Sequence, residues 1–295
     1  MTKIAANANY LSRRFGYEKA YTLIKEAGFD ALDQTLTDMV RPESPFNNPG
    51  WEQEALRVRR AADNAGIRIN QTHAPFSYPL DIWEKSPELM PILKRSIEIS
   101  AIWGAETEIV HPYHHPVYFG HEEEIFEKNM EYYGALIPTA EATGVKVCVE
   151  NMFQVDEIRK HIVHDTCSTL REFIRYVDTL NHRNIVACLD VGHIALIRQH
   201  ESPADFVRGL GHDRLQALHI HDNDLISDQH KLPFDGRIDW KSVAEALGQI
   251  DYQGYFTYET SGSMDVVPDE FVPARLKYMA DVARYLVSII DANRP

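Results

Sequence analysis

Eight short apolar or β-branched runs alternate with eight segments of helical period, and this alternation constrains the fold more than any other feature of the chain. The runs are KIAANA (3–8), FDALDQTL (29–36), IRINQTHA (67–74), ETEIVHP (106–112), VKVCVEN (145–151), NIVACLDVG (184–192), LQALHIHD (215–222) and YFTYET (255–260). The helical segments run from Tyr17 to Ala27, Trp51 to Ala65, Glu84 to Trp103, Glu122 to Thr143, Thr169 to Leu180, Ser202 to Gly211, Trp240 to Ile250 and Pro268 to Ile290. Gly66, Gly104 and Gly144 each follow a helical run directly, as residues that adopt the left-handed cap conformation cheaply. The pattern predicts an α/β protein, a single (β/α)8 TIM barrel whose strands are buried on both faces. The rival, an open doubly wound sheet, would carry a Gly-rich phosphate loop after its first strand. The chain reads NANYLSRRFG there. No shift of composition marks a second domain, so residues 1–295 are expected to form one. The stretches Asp38–Gly50 and Phe76–Ser86 are expected to cover an active site.

Composition narrows the function classes. The formal charge of −14 speaks against nucleic acid as a partner, because phosphate neutralisation needs a basic footprint. No apolar run approaches the roughly 20 residues that span a bilayer. The N-terminal stretch has no long apolar core of a signal peptide. Three cysteines, Cys148, Cys167 and Cys188, lack CxxC spacing and predict neither a disulfide framework nor a zinc cluster, so a reducing cytoplasm is the expected compartment.

Each strand from the third onward ends in a ligand-type residue: His73, His111, Glu150, Asp190, His219 and Glu259. A barrel brings all C-terminal strand ends to one face, where active sites of this fold sit. Like charges gathered there would raise one another's pKa values or destabilise the fold unless a cation joins them. The oxygen and nitrogen set Glu150, Asp190, His219 and Glu259 suits one divalent metal ion, Mn²⁺, Zn²⁺, Co²⁺ or Mg²⁺. Cys148 and Cys188, two residues upstream of ligands, are expected to be small core fillers. His114 and His115 are expected to be plain loop residues. Glu122–Glu124 is expected to open a helix, and the run from Arg57 to Arg60 to lie on a solvated face.

Val149-Glu150-Asn151, Leu189-Asp190-Val191-Gly192-His193, Leu218-His219-Ile220-His221-Asp222 and Tyr258-Glu259-Thr260 resemble the strand-end motifs of the xylose isomerase-like TIM-barrel superfamily. Asp228-Gln229-His230, followed by Asp235-Gly236-Arg237-Ile238-Asp239-Trp240, resembles the superfamily's D-x-H…G-x-I-D-W stretch. The resemblance implies a sugar or sugar phosphate isomerase or epimerase. Glu150, Asp190, His219 and Glu259 would hold the metal, and Glu150 and Glu259 would form the acid/base pair that transfers a proton through a metal-stabilised enediolate. His193, with His73, His111, His221 and His230, would contact the substrate, a small sugar or sugar derivative. The endonuclease IV branch, which hydrolyses phosphodiesters at abasic sites, uses a larger ligand set. His73, His111, His193, Asp228 and His230 match its further metal positions. A C-glycoside-cleaving lyase subunit could use the same site. The epimerase branch carries an arginine several residues after the strand-seven histidine. Asp222-Asn223-Asp224-Leu225-Ile226-Ser227 has none, which leaves a different sugar, a cyclitol or a glycoside derivative open. A homo-oligomer is also left open.

Overall fold

A computed structural model describes residues 1–76, 82–156, 158–197 and 200–295. The expected alternation is realised as eight parallel strands: β1 (Ile4–Asn7), β2 (Ala31–Thr35), β3 (Arg68–His73), β4 (Thr107–Val110), β5 (Lys146–Glu150), β6 (Ile185–Asp190), β7 (Leu215–His219) and β8 (Phe256–Tyr258). Each strand pairs with its successor from β1 to β7, and β8 pairs with β1 through Ile4 opposite Phe256. The ring closes between β7 and β8, where Ile220 bridges Tyr258 and its amide donates to the Thr257 carbonyl at 2.9 Å. This is a (β/α)8 TIM barrel.

Alternation along the strands sorts the side chains. Ile109, Cys148, Val186, Cys188 and Ala217 form a small apolar cluster inside the barrel, so both cysteines are core fillers as expected. Ile220 points outward into the large cluster between strands and helices. Two bulges interrupt the ladder. On β3, Leu32 faces Ile69 and Asp33 faces Gln71, which leaves Asn70 as an extra residue. On β7, Ala187 faces Leu215 and Cys188 faces Ala217. Such bulges bend a strand and re-aim its neighbours.

Several element boundaries differ from the sequence expectation. The run from Glu122 to Thr143 is two helices, Glu122–Gly134 and Ile137–Thr143, because Pro138 sits in the first turn of the second and starts it afresh. Short helices Asn9–Phe15 and Val191–Ile197 and a hairpin of Phe153–Val155 with Ile162–His164 decorate the C-terminal face. They are too short for periodicity to reveal. The segment 38–50 folds into two 3₁₀ turns and is tethered by buried Phe46, edge-on to Trp103 at 5.8 Å between ring centres. It flanks the cavity described below without lining it, since the lining stops at Thr37. Of the other expected cover, Phe76 lines the cavity, and residues 77–81 lie outside the described residues. The Glu122–Glu124 run occupies the first helical turn as expected. Among the described residues, no helix is long and apolar enough to cross a membrane.

Candidate active site

The C-terminal ends of the strands surround a cavity of about 300 Å³. Its lining includes His73, His111, Glu150, His193, Asp228, His230 and Glu259. These seven residues, far apart in sequence, therefore share one small volume because the barrel closes.

The central group is Glu150, Asp190, His219 and Glu259, each with a ligand atom within 4.8 Å of the others. His219 Nδ1 lies 2.6 Å from Glu150 Oε1, 3.4 Å from Glu259 Oε2 and 3.9 Å from Asp190 Oδ2. Burial opposes the charge on Glu150, but His219 and His111 outweigh it and hold its pKa well below the ordinary value. Burial also works against a charged His219, yet Glu259 and Glu150 hold it well above. Asp190 is likewise lowered against its burial, by His193 and His221. Buried carboxylates here draw on ring protons for compensation, and a dication supplies the same charge.

Two further groups adjoin it. His73, His111 and Glu150 form one, with the Nε2 atoms of the two rings 3.1 Å apart. Burial and the neighbouring His111 push His73 down to about 4. His193, His221, Asp228 and His230 form the other. Burial opposes charge on His230, but Glu259 and Asp228 raise it to about 10. His221 differs from the expectation of substrate contact. It is fully buried beneath the cavity, 3.1 Å from Asp190 through Nε2 and stacked on His230 at 4.0 Å.

Three rings are oriented the same way. Nδ1–H of His73 donates to the Ala74 carbonyl at 2.9 Å, that of His193 to the Asn151 carbonyl at 2.8 Å, and that of His230 to the Glu259 carbonyl at 2.9 Å. Each bond turns Nε2 toward the cluster, so that it offers a lone pair once a cation displaces any proton there, the arrangement by which ligating histidines are fixed. The donor set is oxygen and imidazole nitrogen, and the buried atoms His219 Nε2, His221 Nδ1 and Asp228 Oδ1 have no hydrogen-bond partner. These residues fit a divalent cation. Cys188 also reaches Glu150 and His219, but burial and Glu150 raise its thiol far above the usual range, so it offers no thiolate.

Sequence reasoning missed three residues. Asp33 on β2 is fully buried beside His219, and burial raises it to about 6. Asp222 accepts six hydrogen bonds and folds the 223–238 stretch that carries Asp228 and His230. His114 is not a plain loop residue. It is buried and donates through Nδ1 to buried Asp165, at the entry to the 153–164 hairpin region. An Asp in the second strand, at the level of Thr35 and its neighbours, was the only sequence signal for the first of these.

The model of the xylose isomerase-like TIM barrel family matches residues 21–286, and the chain belongs to that family. An uncharacterised protein of Methanocaldococcus jannaschii is 27% identical over 253 residues, 80% of this chain and 83% of that protein. The D-psicose 3-epimerase of Ruminiclostridium cellulolyticum is 26% identical over 134 residues, 45% of this chain and 41% of that enzyme. A crystal structure of a D-tagatose 3-epimerase-like protein superposes with a TM-score of 0.75 at 21% identity, covering 98% of each chain.

Proposed function

We propose that residues 1–295 act as one catalytic domain, a divalent-metal-dependent sugar isomerase or epimerase. The observation that carries this reading is the convergence of two carboxylates, Glu150 and Glu259, on one imidazole nitrogen at 2.6 and 3.4 Å. Glu150, Asp190, His219 and Glu259 would hold the cation, which when bound supplies positive charge beside a carbonyl oxygen and stabilises negative charge developing there. Everything else falls to the chain. One of the two glutamates takes the proton from the carbon next to the sugar carbonyl, and the other returns it on the opposite face. Glu259 is the more accessible, with 21% of its side chain exposed, whereas Glu150 is sealed at 1%. His73, His111, His193 and His230 line the cavity and orient hydroxyls. Asn7, Asn9, Thr37 and Ser261 add neutral hydrogen-bonding groups, and Phe76, Met152 and Phe153 add apolar faces. Neither lysine nor arginine is among the described lining residues, which favours an unphosphorylated sugar. The names of the related epimerases point to the same chemistry.

The test is solvent exchange. The Mn²⁺- or Co²⁺-loaded protein is incubated with a panel of ketoses and keto-glycosides in D₂O. One substrate carbon is expected to take up deuterium, and E150Q and E259Q are each expected to abolish uptake. Undiminished exchange in either variant removes that residue as acid or base.

One observation favours a second reading. The two flanking groups share Glu150 and Asp190 contacts with the central one, as a polynuclear phosphodiester hydrolase requires. Two or three bound metal ions per chain and cleavage of an abasic duplex with Zn²⁺ would favour it. One ion and no cleavage at micromolar protein would exclude it.

A further inference from the structure

His219 is the exception among the oriented rings. It presents Nδ1, not Nε2, to the carboxylates, so a neutral ring ligating through Nδ1 carries its proton on Nε2. That nitrogen is fully buried and has no hydrogen-bond partner. A buried N–H left unpaired keeps the full cost of its desolvation. No backbone carbonyl serves it, unlike the cases of His73, His193 and His230. Among the described residues, the one carboxylate within salt-bridge range of it is Asp33, whose Oδ2 lies 3.9 Å away.

Asp33 is placed for this role. It lies two residues before Thr35, which lines the cavity, and so points to the same side of β2. The Asn70 bulge adjoins it on β3. Asn7 Nδ2 donates to Asp33 Oδ2 at 3.3 Å, while the buried Oδ1 has no partner. Asn7 is itself fixed, its Oδ1 accepting from the Asn9 amide at 3.0 Å. Asn7 thus anchors the same oxygen, Oδ2, that faces His219 Nε2, and a carboxylate oxygen can accept a second donor. A movement of about 1 Å closes the pair to ordinary hydrogen-bond length.

We infer that Asp33 is the positioning residue of the cation site: it accepts the Nε2 proton of His219 and thereby fixes the ring with its Nδ1 lone pair toward Glu150, Asp190 and Glu259. Asp33 touches neither cation nor substrate. It acts through His219 as a carboxylate behind a ligating imidazole, which fixes the tautomer and raises the basicity of the ring. The inference rests on the reading that this site binds a divalent cation.

The test measures binding of Zn²⁺, Mn²⁺ or Co²⁺ alone by chelator competition, with no substrate. D33A is expected to lose roughly 10- to 100-fold in affinity. D33N keeps a carbonyl acceptor and is expected to recover most of that loss. A second readout is independent of affinity. In ¹⁵N-histidine-labelled, Zn²⁺-loaded protein, His219 is expected to show its proton on Nε2, with a resonance that shifts in D33N. That spectrum also decides the matter if D33A fails to fold. A folded D33A that binds within twofold of wild type, or a His219 proton found on Nδ1, overturns this inference alone. A wild-type protein that binds none of the three metals overturns both the inference and the cation reading beneath it.

Discussion

Replacing Asp222 by asparagine changes a single atom's chemistry and should unfasten a loop. Asp222 is fully buried at the end of β7. Its Oδ1 accepts from the amides of Asn223 at 2.8 Å, Arg237 at 2.9 Å and Ile238 at 3.1 Å. Its Oδ2 accepts from the amides of Phe234 at 3.0 Å and Gly236 at 3.1 Å and from Trp240 Nε1 at 2.8 Å. Whichever way an asparagine amide turns, its NH₂ group faces three N–H donors. Three hydrogen bonds to a charged acceptor are lost, each worth about 1.5–3 kcal/mol. Even the lower figure gives a loss of about 4–5 kcal/mol for D222N, a large part of the 5–15 kcal/mol that holds a typical domain. The loss is expected to appear first as local opening of 223–238, because Asp228 and His230 ride on that stretch. Native-state hydrogen exchange of the Phe234, Gly236, Arg237 and Ile238 amides measures it directly, with urea unfolding for the global part. Exchange faster by at least 100-fold is expected, together with weakened metal binding. Unchanged exchange and a stability within about 1 kcal/mol of wild type would refute the claim that this carboxylate organises the loop.

Two other outcomes follow from the geometry. Glu108 is fully buried, hydrogen-bonded to Ser96, and raised by burial from 4.5 to about 7. The folded state therefore binds its proton more tightly than the unfolded chain does. The stability it confers is fully present below pH 4.5 and is lost as pH rises through about 7, by roughly 3 kcal/mol in all. E108Q stays neutral and is expected to flatten that part of the profile, measured by urea unfolding at pH 5 and pH 8; an unchanged pH slope would exclude Glu108 as its source. Gly192 packs under His221, where an added Cβ would lie 2.0 Å from the ring. G192A is expected to push His221 off Asp190 and to cost roughly 10-fold or more in metal affinity, read by chelator competition.

Much of this molecule was legible in one dimension. Period-2 and period-3.6 patterns are local, so the strand and helix order of the barrel could be read from them. Glu150, Asp190, His219 and Glu259 could be read too, because a barrel carries every strand's C-terminal end to one rim whatever the details of packing. Their distances, and the two flanking histidine groups, come from closure of the ring at Ile220 and Tyr258. Asp33 is 186 positions before His219 and is brought beside it by barrel tilt and a bulge, neither of which leaves a periodic mark. His221 was expected to contact the substrate, yet it sits beneath the cavity, because Gly192 leaves room for its ring against Asp190. The sequence by itself determined the order of the elements and which side chains end the strands. Only the tertiary structure decided which nitrogen of each histidine faces inward, since that depends on the acceptor lying behind the ring.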